Sequence, residues 1–314
     1  MGITVIVCTY NRCQSLAKTL DSLAASKLPE AVDWEVLVVD NNSIDQTREV
    51  VEDFCTRYHE RFRYVFEPRQ GKSHALNTGI RESRGDVLAF TDDDVTVEPI
   101  WLQNLTAALT DGQWAGAGGR TLPASIVTPP RWLALDGNCS NAVMLYAHFD
   151  LGDEPQQLDR APYGANMAFQ KKMFEKHGGF RTDLGPGPNR RTPRFNEDTE
   201  FGRRLIKAGE KLRYEPSALV HHVVPKERIR KGHFLTAWFE LGRSGILEAG
   251  KRPDICRIPR YYLSIPKKMA FTLLQALQWM LTLNPQRRFY RRCFVWMTAG
   301  WIVETYRQSR CKEG

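Results

Sequence analysis

Cysteine is sparse and unpaired in this chain. Cys8, Cys13, Cys55, Cys139, Cys256, Cys293 and Cys311 are scattered, odd in number and never form a C-x-x-C pair. That spacing excludes a disulfide framework and a cysteine zinc site, and it fits a reducing compartment. Long apolar runs are missing too, so no membrane span is expected. The opening Ile3-Thr4-Val5-Ile6-Val7 is too short for the apolar stretch of a secretion signal and lacks a basic flank, so no leader is expected. Glycine is absent where nucleotide loops need it. Gly71-Lys72-Ser73 stands between a strand pattern and a helical one, the context of a phosphate-binding loop, but Phe66 occupies the position of that loop's first glycine. The first strand runs into Cys8-Thr9-Tyr10-Asn11-Arg12, without the glycine fingerprint of a dinucleotide fold.

What is present is an ordinary globular composition. The chain has 314 residues, 42% apolar and 25% charged, enough for one large domain or a catalytic domain with an appendage. Its net charge of +8 is uneven: residues 251–314 hold 13 Lys/Arg against 3 Asp/Glu, a net of +10, leaving −2 for the rest. Over the first 120 residues, strand-like runs (Ile3–Cys8, Trp34–Asp40, Phe62–Phe66, Val87–Thr91) alternate with helical patterns (Ser15–Ala25, Asp45–Tyr58, Ser73–Ser83). Runs this apolar are covered on both faces, which predicts an α/β fold with a mostly parallel central sheet flanked by helices. Ligands of such sheets gather beyond the carboxyl ends of the strands. Three polar clusters stand there: Thr9-Tyr10-Asn11-Arg12, Asp40-Asn41-Asn42-Ser43 and Asp92-Asp93-Asp94.

The aspartate triplet carries the most information. Three adjacent like charges after a buried strand repel one another unless something positive joins them. Hard oxygen ligands in that place suit Mg²⁺ or Mn²⁺, a metal that commonly grips phosphates. The alternative is a solvated turn with Asp as a helix N-cap. Further along, Ala165–Gln170 reads as a strand, Lys172–His177 and Asn196–Ala208 as helices, and Lys211–Val220 as a strand. Residues 120–165 read as loops and short strands. Arg181–Arg194, rich in proline and arginine, reads as a mobile loop too polar to pack.

The tail has its own pattern. Lys268, Thr272, Gln275, Gln278 and Thr282 form a narrow polar stripe at helical spacing. Met269, Phe271, Leu273, Leu274, Leu277, Trp279, Met280, Leu281 and Leu283 cover the wide face, and Pro285 ends the segment. Arg287, Arg288, Arg291 and Arg292 follow, then an aromatic stretch, Phe294–Tyr306. A basic, Trp-bearing amphipathic pair suits a membrane surface, contacted through residues 252–310. The alternative is a helical hairpin packed on its own domain or on a second copy.

The ordered motifs resemble the family 2 glycosyltransferases. They are Val5-Ile6-Val7-Cys8-Thr9-Tyr10-Asn11-Arg12, Val38-Val39-Asp40-Asn41-Asn42-Ser43, Gly71-Lys72-Ser73-His74-Ala75-Leu76-Asn77 and Phe90-Thr91-Asp92-Asp93-Asp94, followed by Gly164-Ala165-Asn166, Phe195-Asn196-Glu197-Asp198 and the histidines at 221–222. The resemblance implies a GT-A fold, Rossmann-like, over residues 1–225, with about 1–120 for the nucleotide sugar and about 120–225 for the acceptor. A basic amphipathic helical extension would occupy 226–314. It implies that Thr9 and Asp40 meet the nucleotide base, beside Tyr10, Arg12 and Asn42. Ser43 is expected to cap the following helix and leave Asp40 free. Lys72 would approach the base or diphosphate; otherwise it is an exposed helix-start lysine, unfavourable at that end of a helix. Strand alternation puts Asp92 and Asp94 on one side, with Asp93 the more structural member, and the resemblance makes Asp92 a ribose or metal ligand and Asp94 a metal ligand. The resemblance makes Asp198 the general base, with Glu197 orienting it or binding acceptor. It makes a histidine a metal ligand, His222 ahead of His221. Trp132, Tyr163 and Asn166 are candidates for the acceptor side, core packing or a turn being their alternative.

One departure bears on function. Processive members carry Q-x-x-R-W, and the nearest echo here, Gln275-Ala276-Leu277-Gln278-Trp279, lacks the arginine and lies in the tail. With no membrane span to form a channel, the expectation is single-sugar transfer and not processive synthesis, and the resemblance implies an inverting enzyme dependent on Mn²⁺ or Mg²⁺. It would move one sugar from a nucleotide sugar, UDP-linked, to a glycan or lipid-linked acceptor at the cytoplasmic face of a membrane. The competing class is a non-catalytic membrane-associated nucleotide-sugar sensor or scaffold. A nucleotidyltransferase lacks its glycine-rich loop here, and a nucleic-acid partner, the other reading of the basic tail, is not expected.

Overall fold

The computed structural model describes residues 2–59, 61–110, 112–125, 128–141, 144–145, 148–187, 195–249 and 258–310. They fall into two compact units, one of Met1–Ser125, Tyr146–Pro188 and Glu197–Val224, the other of Ile126–Leu145, Asn189–Asn196 and Pro225–Gly314. The second unit thus takes in two upstream segments, unlike a contiguous division near residue 225.

In the first unit, β1 (Ile3–Thr9), β2 (Trp34–Asp40), β3 (Phe62–Phe66) and β4 (Val87–Asp92) alternate with α1 (Cys13–Ala24), α2 (Thr47–Arg57) and α3 (Lys72–Glu82). After β5 (Val95–Val97) come α4 (Trp101–Ala107), β6 (Gly116–Pro123), β7 (Gln156–Gln157) and β8 (Met167–Gln170), then α5 (Lys172–His177), α6 (Glu197–Lys207) and β9 (Leu212–His222). The nine-stranded sheet runs β3-β2-β1-β4-β8-β6-β9-β5, with β7 on β9. It is parallel through β3-β2-β1-β4 and mixed beyond, because β8 runs antiparallel to both β4 and β6.

Alternation along the strands builds two cores. Val5, Val7, Val36, Val38, Val87 and Ala89 face one side with Leu16, Leu20, Phe54 and Trp101. Ile6, Leu37, Val39, Leu88 and Phe90 face the other, with Leu76, Phe174 and Phe201. Covering both faces is what makes these strands apolar throughout. Register then aligns their ends: Thr9 lies opposite Asp40, and Cys8 opposite Asp92. At the other margin Val95 lies opposite His222, and Val223 N–H donates to the Asp94 carbonyl at 2.9 Å.

The segment expected to be a mobile, unpacked loop differs where it is described. Leu184 is buried, Ser73 donates its hydroxyl to the Leu184 carbonyl at 2.9 Å, and Lys72 N–H donates to Pro186 at 2.8 Å. Main-chain carbonyls, not side chains, anchor it to the start of α3. Residues 188–194 of that expectation lie outside the described residues.

The second unit contains α7 (Lys231–Glu248), α8 (Ile258–Leu281) and α9 (Pro285–Arg310). Pro285 begins a helix, at the position where its missing N–H costs nothing. A Cβ at Gly242 would collide with the Met297 carbonyl, and one at Gly300 with the Phe239 carbonyl, so these glycines let α7 and α9 cross closely. Beside the crossing, Arg243 binds Glu240 at 3.0 Å and Glu304 at 2.9 Å, all three buried. Among the described residues no helix is long and apolar enough to cross a membrane.

Candidate active site

The positive charge that the triplet requires comes from two directions. Arg12, at the start of α1, places Nη1 2.8 Å from both Asp93 and Asp94. Lys72, first residue of α3, sits 2.7 Å from Asp92 and 3.6 Å from Glu197. Burial works against the Lys72 charge, but Asp92, Glu197 and Asp198 outweigh it and hold its pKa well above the usual value. Its neighbour Gly71 has φ +142°, a conformation open essentially to glycine. The Gly-Lys pair therefore serves this turn and not a phosphate loop. Arg12, expected at the donor, faces the acidic triplet.

Asp92 ends β4, and Asp93 and Asp94 form the turn into β5. Asp92, Asp94 and His222 each offer one donor atom, and these lie within 4.8 Å of one another. His222 Nε2 is 3.3 Å from Asp94. Its Nδ1 is buried and finds no hydrogen-bond partner among the described residues, a polar atom that the fold leaves unsatisfied. Two carboxylates and an imidazole form a donor set that fits Mn²⁺, the carboxylates also suiting Mg²⁺. His221 points the other way along β9 and lies 3.1 Å from Glu98, so strand alternation takes it out of the group. Asp93 is pushed up to about 6 by burial, against the pull of Arg12 and with the push of Asp94.

The side expected to meet the nucleotide is a set of loops tied to each other. Thr9 is buried at the end of β1, Tyr10 is half-buried, and Asn42 is exposed with φ +65°. Asp40 is not free, contrary to expectation. It accepts from Ser43 N–H at 2.9 Å and from the Tyr64 hydroxyl at 2.8 Å. Ser43 does not cap α2; its hydroxyl accepts from Asn11 N–H at 2.9 Å, and Asn11 Oδ1 accepts from Ile44 N–H at 2.7 Å. Asn41 donates to the Glu67 and Arg69 carbonyls and accepts from Gly71 N–H at 2.8 Å. Tyr64, Asn11 and Asn41 went unnoticed in the sequence as separate functional residues. Their only signal was polarity at or just beyond a buried strand.

On the remaining side, Glu197 and Asp198 open α6 but differ sharply. Glu197 is buried, and burial, reinforced by the charge on Asp198 and opposed by Lys72, raises it to about 7. Asp198 is half-buried and accepts from Gly164 N–H and Thr199 N–H, both at 2.6 Å. Tyr163 lies in its field: burial and then the Asp198 charge raise the phenol pKa. Asn166 is spent on the fold. Its amide donates to the Arg120 and Ala218 carbonyls and accepts from Trp101 Nε1–H at 2.8 Å. Trp132 belongs to the second unit, where its ring packs edge-on against Phe234 and Phe289. The buried Asn166 amide is thus committed to the fold, while Trp132 remains half-buried beside its ring partners.

The site therefore joins a group able to hold a divalent metal, a half-buried lysine bridging two carboxylates, and a hydrogen-bonded accessible aspartate. The model of the family described as "Glycosyl transferase family 2" matches residues 4–178. The chain is a family 2 glycosyltransferase. This glycosyltransferase is 31% identical over 229 residues to the succinoglycan biosynthesis protein ExoM of Rhizobium meliloti, covering 73% of this chain and 69% of that one. It is 37% identical over 246 residues to the glycosyltransferase AglE of Haloferax volcanii, covering 78% and 73%. In fold, it is similar to the mannosyltransferase PcManGT from Pyrobaculum calidifontis, solved in complex with GDP-Man and Mn²⁺. That match has a TM-score of 0.61 at 22% identity, over 99% of this chain and 88% of that one. The glycosyltransferase thus has the mixed α/β architecture of a GT-A fold.

Proposed function

We propose that this glycosyltransferase moves one sugar, with inversion, from a UDP-linked donor to a hydroxyl of a glycan or lipid-linked acceptor in cell-surface polysaccharide synthesis. The observation that carries the proposal is the pairing, within one unit, of the Asp92–Asp94–His222 group with Asp198. Asp92, Asp94 and His222 would hold Mn²⁺ or Mg²⁺, which when bound supplies positive charge to the diphosphate and its departure. Asp40 has carboxylate lone pairs beyond those used by Ser43 and Tyr64, and would accept the imide N–H of uracil. Asp198 takes the acceptor's proton as that hydroxyl attacks the anomeric carbon from the face opposite the diphosphate. The N–H groups of Gly164 and Thr199 orient its carboxylate for that role. Glu197 and Lys72 position the charges between the base and the triplet.

The test is a screen of UDP- and GDP-linked sugars with Mn²⁺, with and without chelator, on the chain and on Asp198→Asn. The variant should bind donor normally and lose on the order of 10²–10⁴ in turnover. Normal turnover by the variant overturns the base. Donor binding without turnover on any acceptor makes the protein a nucleotide-sugar sensor, and exclusive use of GDP-sugars overturns the role of Asp40.

A further inference from the structure

We propose that α8 and the turn after it dock on an anionic bilayer surface, the apolar face of the helix lying in the interface between headgroups and acyl chains. The helix is inside out for a protein surrounded by water. Its polar line, with Thr272, Gln275, Gln278 and Thr282, is half-buried. Arg291 of α9 engages that line, its Nη1 donating to the Gln278 carbonyl at 3.1 Å and the Thr282 hydroxyl at 2.5 Å. Outward stand Met269, Leu273, Leu277, Met280 and Leu281, exposed by 50, 63, 53, 60 and 80%, with Leu283 in the turn at 96%. Scattered exposed leucines are ordinary on a protein surface; a continuous helical face of them marks a contact.

Charge identifies the occupant. Residues 251–314 carry a net +10, and the exposed Arg287 and Arg288 follow the apolar tip within seven residues of Leu281. Pairing two copies through this face would bring two such basic segments together. A bilayer rich in anionic lipid supplies the opposite sign, and basic residues beside inserted apolar ones are what such a surface retains. Trp279 and Trp296, common anchors at a bilayer interface, both lie against the Arg292 guanidinium, at 5.4 and 4.9 Å. Since no described helix is fit to cross a membrane, α8 would lie in the plane of the surface.

The full chain should float with phosphatidylcholine vesicles that contain phosphatidylserine and much less with phosphatidylcholine alone, added salt weakening the binding without abolishing it. Leu277→Glu with Leu281→Glu should lower partition by roughly tenfold per leucine. Both side chains are exposed, so the variant should melt as the parent does. Arg287→Glu with Arg288→Glu should remove the preference for anionic vesicles while leaving the apolar face intact. Absence of flotation by the parent chain overturns the proposal, as does flotation unchanged in both variants. So does a parent dimer that Leu277→Glu dissociates with no vesicle binding in either state, which would make the face a self-association surface. Flotation reads attachment and not sugar transfer, so its outcome is independent of the donor and acceptor proposed above.

Discussion

Charge balance governs the site. Asp92, Asp93, Asp94 and Glu197 meet two fixed cations, Arg12 and Lys72, within hydrogen-bond or ion-pair distance. Two cations could not neutralise all four acids if each were ionised, and burial, with neighbouring like charges adding to it, instead holds Asp93 and Glu197 towards the protonated form. A divalent ion held by Asp92, Asp94 and His222 would supply the missing positive charge. Mn²⁺ should therefore raise the melting temperature of the chain. His222→Ala should weaken Mn²⁺ by at least the roughly 10–100-fold that losing an outer partner of a metal site costs, while His221→Ala should leave the metal response unchanged. Equal effects of the two variants in a melting titration would remove His222 as a ligand. Glu197 gives a pH signature without metal. Its folded value of about 7 lies above the ordinary 4.5, so the folded state binds more protons between those limits and stability falls as pH rises through them. Glu197→Gln removes that loss. The variant should melt above the parent at pH 8, with the gap closing towards pH 4.5, and a gap independent of pH would contradict the assignment.

At the scale of elements, the turn into α3 makes the sharpest demand. Gly71 at φ +142° places the Lys72 N–H on Pro186 and the Lys72 ammonium on Asp92. Gly71→Ala forces an L side chain into a conformation that costs about 1–3 kcal/mol. Denaturant titration should show that loss, and donor KM should rise with it as Lys72 shifts. Unchanged stability would mean that the turn accommodates a Cβ. The existence of these elements was legible because β1, β2 and β4 are nearly continuous buried apolar runs and α1, α2 and α3 each bury a stripe. The phase of β9 was less legible: His221 and His222 are adjacent, and pairing with β5 decides which one meets Asp94. Asp40 misled for a similar reason. Its partners Ser43 and Tyr64 are 3 and 24 residues away, and only the parallel register of β2 and β3 brings the phenol to it. Asn166 reads like a site residue beside a glycine, yet Trp101, Arg120 and Ala218 consume its amide, all contacts of long range. Polar residues at strand ends can thus be found by sequence, but their division between ligand and scaffold depends on neighbours that sequence does not order.

For the molecule as a whole, the informative division is between the sheet unit and the helices of the second unit. Read from sequence, the tail is either a membrane-surface attachment, which a cut after Lys251 would release, or a hairpin packed on its own domain, which that cut would unfold. The second unit shows why that cut is too severe. Gly242 and Gly300 let α7 and α9 touch backbone to backbone, and Arg243 on α7 keeps its charge buried only because Glu304 on α9 and Glu240 meet it. Phe289 and Cys293 are buried from the α9 side, and Trp132 and Phe234 pack against Phe289. Removing residues after Lys251 would strip α9 from α7, leave Arg243 with Glu240 alone and expose that aromatic cluster. Losing one partner of a buried ion pair costs about 3–5 kcal/mol before any apolar exposure is counted. The truncated chain should therefore aggregate on expression, or bind a dye for exposed apolar surface, whether or not vesicles are present. Leu277→Glu with Leu281→Glu keeps α9 in place and should stay soluble. A soluble, monomeric truncation with an unchanged melting profile would show instead that α8 and α9 are an appendage with no part in the core of the second unit.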